Sequence, residues 1–576
     1  MIRSALCAML AAVATLAQPV QAQPGIEPIQ TYALTNARIV VAPGNVIESG
    51  TVVLRDGRIV AVGANVDAPA DAVTLDLAGS TVYPGLIDAA ATTGLPSVTR
   101  ATRGPQGGPP GSFQQARQAS EPPPRPPEIR PDLLAADVFE PQDDELERWR
   151  ATGVTTLGLA FDGGIFPGQT AAVSVVPGEH GTYALRTPVS LQVLLGRRRG
   201  GYPGTLMGSL AFIRQAFHDA QHAIHVEEAF ARDAASAPRP SYAPEHRALA
   251  PAVGGALPVW IHASAERDIG RAIELATDVG VENYVIVGAQ EGYRSVDALR
   301  GVNRPLIVSL DWPRPDAVTG RAYEMHIAPI DGEDEAGAEA DSAAALTLRN
   351  NAAALTGAGL RVALSGYGLD GPSQFRTHLL AAVEAGLSPE DALRALTVTP
   401  AELLGLDALV GTIENGKLAN VVVVEGDLFD EDGKIRQVFV EGRRYEIPDE
   451  PPRAQRRAAA GDAATVDGEW TGSIEMAGTM MPFTLTLAEQ DGQLSGEISS
   501  EMGATALAGE RTGDQIVLEG TFAPPGMNAM ALSITGQIRA DELEGTITVQ
   551  GQAPIAFSAR RRTPGSARMM REGGRP

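Results

Sequence analysis

The sequence predicts an α/β protein, with a parallel sheet that is covered on both faces by helices or closed into a barrel, and with separate β-units beside it. Three observations carry that prediction. From about residue 150, continuous apolar strands alternate with helical stretches. Short strands with turn signals fill 31–83 and return at 409–447. A further set of regularly spaced, alternating strands occupies 465–563. At 576 residues the chain is too long for one core and should form two or three domains.

The N-terminus comes first. Arg3 precedes an apolar run from Ala5 to Ala17, and Val20-Gln21-Ala22 closes it, the pattern of a secretory signal cleaved after Ala22. That run is shorter than the roughly 20 residues a membrane span needs, and no later segment is apolar enough to span. Export places the protein in the periplasm or outside the cell. Cys7, the single cysteine, lies inside the signal, so the mature chain holds no disulfide, thiolate metal site or cysteine nucleophile. With 46 basic and 70 acidic residues the formal charge is −24, which excludes a basic nucleic-acid surface.

Residues 23–83 read as a small β-unit, with Asp56-Gly57 as a hairpin turn between "GTVVLR" and "RIVAVG". "STVYP" reads as a strand that meets a break at Pro84-Gly85, followed by an apolar run ending at Asp88. Residues 101–131 contain nine prolines and almost no aliphatic residues, a flexible insertion without a core of its own. Strand candidates follow in "GVTTLGLAF", "ALPVWIHAS", "NYVIVGAQ", "RPLIVSLDW" and "LRVALSGYG", with helical runs such as "ERDIGRAIELATDVG" and "TLRNNAAALTGAG" between them. "SPEDALRALTVTPAELLG" reads as one helix with Ser388 as N-cap, Pro389 at N1 and Asp391 at N3. Hairpins return up to residue 447. A Pro/Arg/Ala linker covers 448–464, a small antiparallel barrel 465–563, and a disordered basic tail 564–576.

The entry motif "YPGLID" and the exit motif "GLSPEDALRALTVTPAELLGL…GTIENGKLANVVVVEGD" resemble those of the amidohydrolase superfamily, nearest to its imidazolonepropionase-like and dipeptidase-like branch. The resemblance covers roughly residues 31–447. It implies a (β/α)8 TIM-type barrel over 84–404 and a split β-sandwich accessory domain from 23–83 and 405–447. By that resemblance the activity is hydrolysis of non-peptide carbon–nitrogen bonds, as in cyclic amides, or of small peptides.

In such proteins the first barrel strand ends in Asp-x-His-x-His and holds a metal. Here Asp88 keeps its place, and Ala90 and Thr92 stand where the histidines would be. Alanine has no donor atom, and a threonine hydroxyl is a poor substitute for imidazole. Lys417 and Lys434, the two lysines, both fall in the exit β-unit, so none supplies a bridging carboxylated lysine. "PVWIHAS" supplies the fifth-strand histidine, His262. The sixth-strand histidine position holds Gly288, Ala289 and Gln290. After "LSG", where an aspartate is expected, come Tyr367 and Gly368, and Asp370 follows two residues late. The expectation is an eroded metal centre with no cofactor, zinc being the ion if the site works after all.

Other residues carry weaker chemistry. His218, His222 and His225 share one helix face and could bind zinc, although a polar flank of a packed helix explains them as well. Arg197, Arg198 and Arg199 precede a helix and could receive a carboxylate or phosphate, or simply be surface charge. "GGIFPGQTAAVSVVPGEHG" is glycine-rich but has no phosphate-loop lysine. His262 and Asp370 are the catalytic candidates. His262 reads either as a metal-free general base or as a buried imidazole satisfied by the backbone. Ser365 has no evident His-Asp relay.

Two functions remain. One is a pseudoenzyme that binds a small molecule, forms a homo-oligomer, or sits as a non-catalytic subunit beside an intact homologue. The other is an active hydrolase with a rearranged mononuclear or metal-free site around His262, with Asp370 and Asp88.

Overall fold

In the computed structural model, the described residues are 30–97, 129–177, 183–196, 202–241, 243–312, 342–369, 371–448, 466 and, with short breaks, 468–561. The signal 1–22, the Pro-rich insertion up to 128, the linker from 449, the basic tail, Asp370, and Arg197, Arg198 and Arg199 lie outside them. The chain divides into one unit ending at Pro448 and a second beginning at Asp449.

The first unit starts with strands β1 (Tyr32–Ala42), β2 (Asn45–Arg55), β3 (Arg58–Gly63), β4 (Val73–Asp76) and β5 (Ser80–Pro84). Asp56 and Gly57, with φ of 50° and 76°, turn β2 into β3. Both central residues of a tight hairpin need that left-handed backbone, and Asp-Gly adopts it at little cost. β1 pairs antiparallel with β2 and parallel with both β4 and β5.

At Gly85 the chain changes sheets. Its N–H donates to the Asn420 carbonyl at 2.9 Å, and the next N–H, of Leu86, donates to the Gly153 carbonyl at 3.0 Å. A Cβ at position 85 would fall on the Thr155 side chain, so the close approach requires glycine.

Next come β6 (Leu86–Ala91), β7 (Val154–Leu159), β8 (Ala171–Ser174) and β9 (Ala184–Arg186), one four-stranded sheet in that order. β10 (Leu191–Leu194), β11 (Val259–Ala263), β12 (Tyr284–Gly288), β13 (Leu306–Ser309) and β14 (Val362–Ser365) form a parallel five-stranded sheet. The sheets meet at both edges. Ser365 Oγ donates to the Ala90 carbonyl at 2.7 Å, and a Gln169–Leu191 bridge joins the other side.

Alternation along each strand sorts the side chains. On β11, Val259 and Ile261 pack with the helix-facing core, whereas Trp260 joins an inner cluster with Ile87, Ala89, Ala90, Ala160, Ala172, Val285, Val287, Ile307 and Ala363.

The helices α1 (Asp143–Ala151), α2 (Leu206–Arg232), α3 (Pro244–Val253), α4 (Glu266–Asp278), α5 (Val296–Val302), α6 (Asn351–Gly357), α7 (Pro372–Glu384), α8 (Pro389–Leu396) and α9 (Val398–Leu404) lie between and after these strands. Their amphipathic patterns follow burial: α4 turns Ile269, Ala272, Leu275 and Ala276 inward.

Three sequence expectations are corrected. β8 runs antiparallel to β7, which departs from a (β/α)8 repeat. The short connection holds Gly163, Gly164, Pro167 and Gly168 but no helix, and a parallel crossover needs about a dozen residues, usually helical. The single helix expected after Ser388 breaks at Thr397, which has φ −135°. Pro400 lacks the N–H that would bond the Leu396 carbonyl, and its ring would collide with that carbonyl. Asp88 lies inside β6, which continues to Ala91, because three buried alanines extend the strand.

The Ser388 cap forms as read: its Oγ accepts from the Asp391 N–H at 3.1 Å. Ser388→Ala should lower the unfolding free energy by about 1 kcal/mol, measured by urea denaturation.

β15 (Val421–Glu425), β16 (Lys434–Val440) and β17 (Arg443–Glu446) complete an eight-stranded sheet in the order β17-β16-β15-β5-β1-β2-β3, with β4 on β1. Its own core contains Leu34, Ile39, Val52, Ile59, Val82, Val423 and Phe439. Arg150 ties α1 to β17: its guanidinium lies 4.4 Å from the Tyr445 ring centroid, and Nη1 donates to the Val175 carbonyl at 2.7 Å.

In the second unit β18 (Gly468–Met476), β19 (Thr479–Gln490), β20 (Gln493–Ser500), β21 (Gly503–Thr512), β22 (Gln515–Phe522), β23 (Met530–Arg539), β24 (Glu542–Val549) and β25 (Ile555–Arg561) close an antiparallel barrel. Trp470, Leu485, Leu518, Ile534 and Leu543 fill its core, while Thr471, Thr486, Glu497 and Glu519 are exposed. A membrane-spanning barrel would show the reverse alternation.

A candidate site at the end of strand β11

Asp88, the residue retained from the resemblance, is fully buried. Its Oδ1 accepts the Ala90 N–H at 3.0 Å and its Oδ2 the Gly366 N–H at 3.0 Å. The carboxylate therefore joins β6 to the end of β14. Burial pushes its pKa up to about 6, while the Ala90 and Gly366 amide bonds pull it down.

His262 stands on β11, two residues beyond Trp260 and on the same face. Its Nε2 lies 2.9 Å from Gln192 Nε2. The roles in that contact follow from Phe161. Gln192 Oε1 accepts the Phe161 N–H at 2.9 Å, and Nε2 donates to the Phe161 carbonyl at 2.7 Å. This pair fixes which end of the amide is nitrogen. The second Gln192 N–H then donates to His262 Nε2, so the imidazole is neutral and carries its proton on Nδ1.

His262 is half-buried as a residue, but Nδ1 is fully enclosed and has no hydrogen-bond partner among the described residues. The ring nitrogens govern protonation, and burial pushes the pKa down to about 3. With its Nε2 lone pair taken and its pKa this low, His262 in this arrangement is not poised as a general base.

Tyr367 covers the imidazole, the ring centroids 4.8 Å apart at 53°. Its hydroxyl donates to the same Phe161 carbonyl at 3.2 Å, and burial raises its pKa. Gln290, at the sixth-strand position, donates to the Asp311 carbonyl.

The described side chains at these strand ends do not fit a bound metal ion. Ala90 offers no donor, both Asp88 oxygens accept backbone N–H groups, and His262 Nε2 accepts from Gln192. No group of three or more His, Asp or Glu side chains converges among the described residues. His218, His222 and His225 are exposed on α2, with His218 Nδ1 3.1 Å from Gln221 Oε1.

Sequence reading missed Gln192, Phe161 and Trp260. The usable signal was a glutamine amid the buried apolar strand "SLQVLLG"; such a side chain must find partners inside.

Residues 255–445 match the family model described as "Amidohydrolase family". Among solved structures, an amidohydrolase from Thermotoga maritima MSB8 superposes with TM-score 0.57 and 23% identity, covering 72% of this chain and 100% of that one. A prolidase complexed with N-methylphosphonate-L-proline has TM-score 0.43 and 18% identity over 73% of this chain and 100% of that chain. For a Xaa-Pro dipeptidase with bound methionine the values are 0.41 and 14%, over 72% of this chain and 100% of that chain. No curated protein matches the chain.

Proposed function

We propose that this chain, which matches the amidohydrolase family model over residues 255–445 and shares its fold with an amidohydrolase, is an exported member of the amidohydrolase superfamily whose TIM-type barrel has lost the metal chemistry usual there and kept a binding role. One observation carries the reading. The amide of Gln192, oriented by Phe161, donates to the nitrogen of His262 that a metal ion or a proton-transfer role would need. Ala90 and Thr92 in place of the histidine pair agree with it. In this reading the barrel binds a small molecule or pairs with a second subunit, its own copy or an intact homologue. The signal pattern of residues 1–22 supports a periplasmic or secreted location.

The test is metal content and hydrolysis together. Protein purified without chelator should carry well below one equivalent of zinc, manganese or iron, and should leave cyclic amides and dipeptides intact. One metal per chain, lost along with measurable hydrolysis in His262→Ala, would overturn the proposal in favour of an active rearranged site.

A further inference from the structure

We propose that His218 and His222, one turn apart on α2, form a surface site for a divalent transition-metal ion, copper(II) above zinc(II), with Gln221 holding the first imidazole in the binding tautomer. The pair shares no residue with the site at β11 and does not depend on the reading of that site.

Packing leaves these histidines unexplained. The inward stripe of α2 is Ser209, Leu210, Ile213, Phe217 and Ala220, whereas His218 and His222 are exposed. Histidine is a poorer helix former than Lys, Glu or Gln, so propensity does not select it there either. At i and i+4 the two Cβ atoms are neighbours, roughly 5–6 Å apart. Two histidines with this spacing on one helix face can grip a single zinc ion. His225 lies seven residues beyond His218, about 10 Å along the axis, too far to share an ion with it.

Gln221 supplies the second observation. Its Nε2 donates to the Val279 carbonyl at 3.1 Å, just past the end of α4. A carbonyl only accepts, so the amide atom facing it is the nitrogen. The other amide atom, Oε1, lies 3.1 Å from His218 Nδ1 and accepts its N–H. His218 therefore carries hydrogen on Nδ1, and its Nε2 lone pair is left for an ion. Ligating histidines are held in this way, the far N–H given to an oxygen that fixes tautomer and ring direction. The surrounding charge suits a cation. Asp219 is the next residue, and Arg214, one turn before His218, is paired with Asp278 at 2.7 Å.

The donor set names the class of ion. Imidazole suits copper, nickel and zinc, whereas magnesium and calcium take oxygen ligands. Divalent affinity for such ligands peaks at copper(II). No third His, Asp or Glu converges on the pair among the described residues, so water fills the other positions and occupancy follows the free ion concentration.

The experiment titrates the full, tag-free chain, first stripped with chelator, with copper(II), zinc(II) and magnesium. Copper(II) should bind at one equivalent and show imidazole nitrogen in pulsed electron paramagnetic resonance. Zinc(II) should displace it only in excess, and magnesium should not compete. His222→Ala, a change at an exposed position, should weaken copper binding roughly 10²-fold, the loss of a tethered second ligand. Gln221→Leu should weaken it roughly tenfold, the low end for losing the partner of a ligating histidine. His225→Ala should leave it in place.

Copper affinity that survives His222→Ala, or that falls as far in His225→Ala, overturns the proposal. An unchanged affinity in Gln221→Leu overturns it too, because the held tautomer is what sets His218 apart. An ion kept in His222→Ala and lost in His262→Ala would belong to the barrel and not to α2.

Discussion

Asp88→Ala is expected to destabilise the first unit by about 1.5–4.5 kcal/mol, because it orphans the buried Ala90 N–H, at about 1–3 kcal/mol, and removes the bond to the part-buried Gly366 N–H, at about 0.5–1.5 kcal/mol. Those groups belong to Ala90 on β6 and to Gly366 just after β14, so the loss falls on the seam between the sheets. Denaturant unfolding that reports on the first unit measures it. A change within 0.5 kcal/mol, roughly a surface substitution's effect, would show that the carboxylate does not join the sheets.

Asp88→Asn separates charge from geometry, since it keeps one acceptor and cannot ionise. The folded pKa of Asp88 is about 6, above the unfolded value near 3.9. Between these values the folded state binds more protons than the unfolded one. Its contribution is thus fully present below about pH 4 and is lost as pH rises through about 6, by up to roughly 3 kcal/mol. His262 works in the opposite direction. Its folded pKa of about 3 lies below the ordinary value near 6.5, so its contribution is present above that value and is lost as pH falls. The two slopes oppose each other in the wild type. Asp88→Asn should leave stability rising more steeply between about pH 4 and 6 than the wild type's. Parallel wild-type and variant profiles would sink this account.

The second large effect is expected at Gln192. Gln192→Leu strands the N–H of Phe161, a fully buried residue, leaves its carbonyl to the Tyr367 hydroxyl alone, and should cost about 1–3 kcal/mol. It also frees His262 Nε2, so both tautomers should become visible in ¹⁵N spectra. Gln192→Glu would place a carboxylate oxygen against that nitrogen, favour the imidazolium, and raise the His262 pKa from about 3. A single Nδ1–H tautomer persisting in Gln192→Leu would show that Gln192 does not set it.

Much of the first unit's framework is legible in the chain. The apolar runs that become β11, β12, β13 and β14 are four or five residues long and are separated by stretches of helical period. Asp56-Gly57 and the Ser388 cap speak through local chemistry that needs no tertiary context. What sequence missed depends on partners far along the chain. "TAAVS" shows no alternation that would set the direction of β8; the short connection before it does. The break at Thr397 was open to reading, because Pro400 sits inside the pattern.

His262 was found from the residues around it, yet its state was not. Its tautomer depends on Gln192, and the orientation of Gln192 depends on the backbone of Phe161, 31 positions away. Backbone N–H and carbonyl groups are the same in every residue, so no side-chain pattern marks such a partner.

The seating of β5 sets an order of events during synthesis. β5 pairs with β1 through only Arg38–Thr81 and Ile39–Val82, whereas its other edge is matched at every residue from Ser80 to Pro84 by β15. That edge stays open while everything from β6 to α9 is made, on the order of tens of seconds at ribosomal rates. Until Val421–Glu425 emerges, a nascent chain exposes the strand "STVYP" to any other extended segment. The start of the first unit is thus completed by its end, and a chain stopped at residue 420 would carry a nearly whole set of inner strands beside an unfinished, adhesive edge.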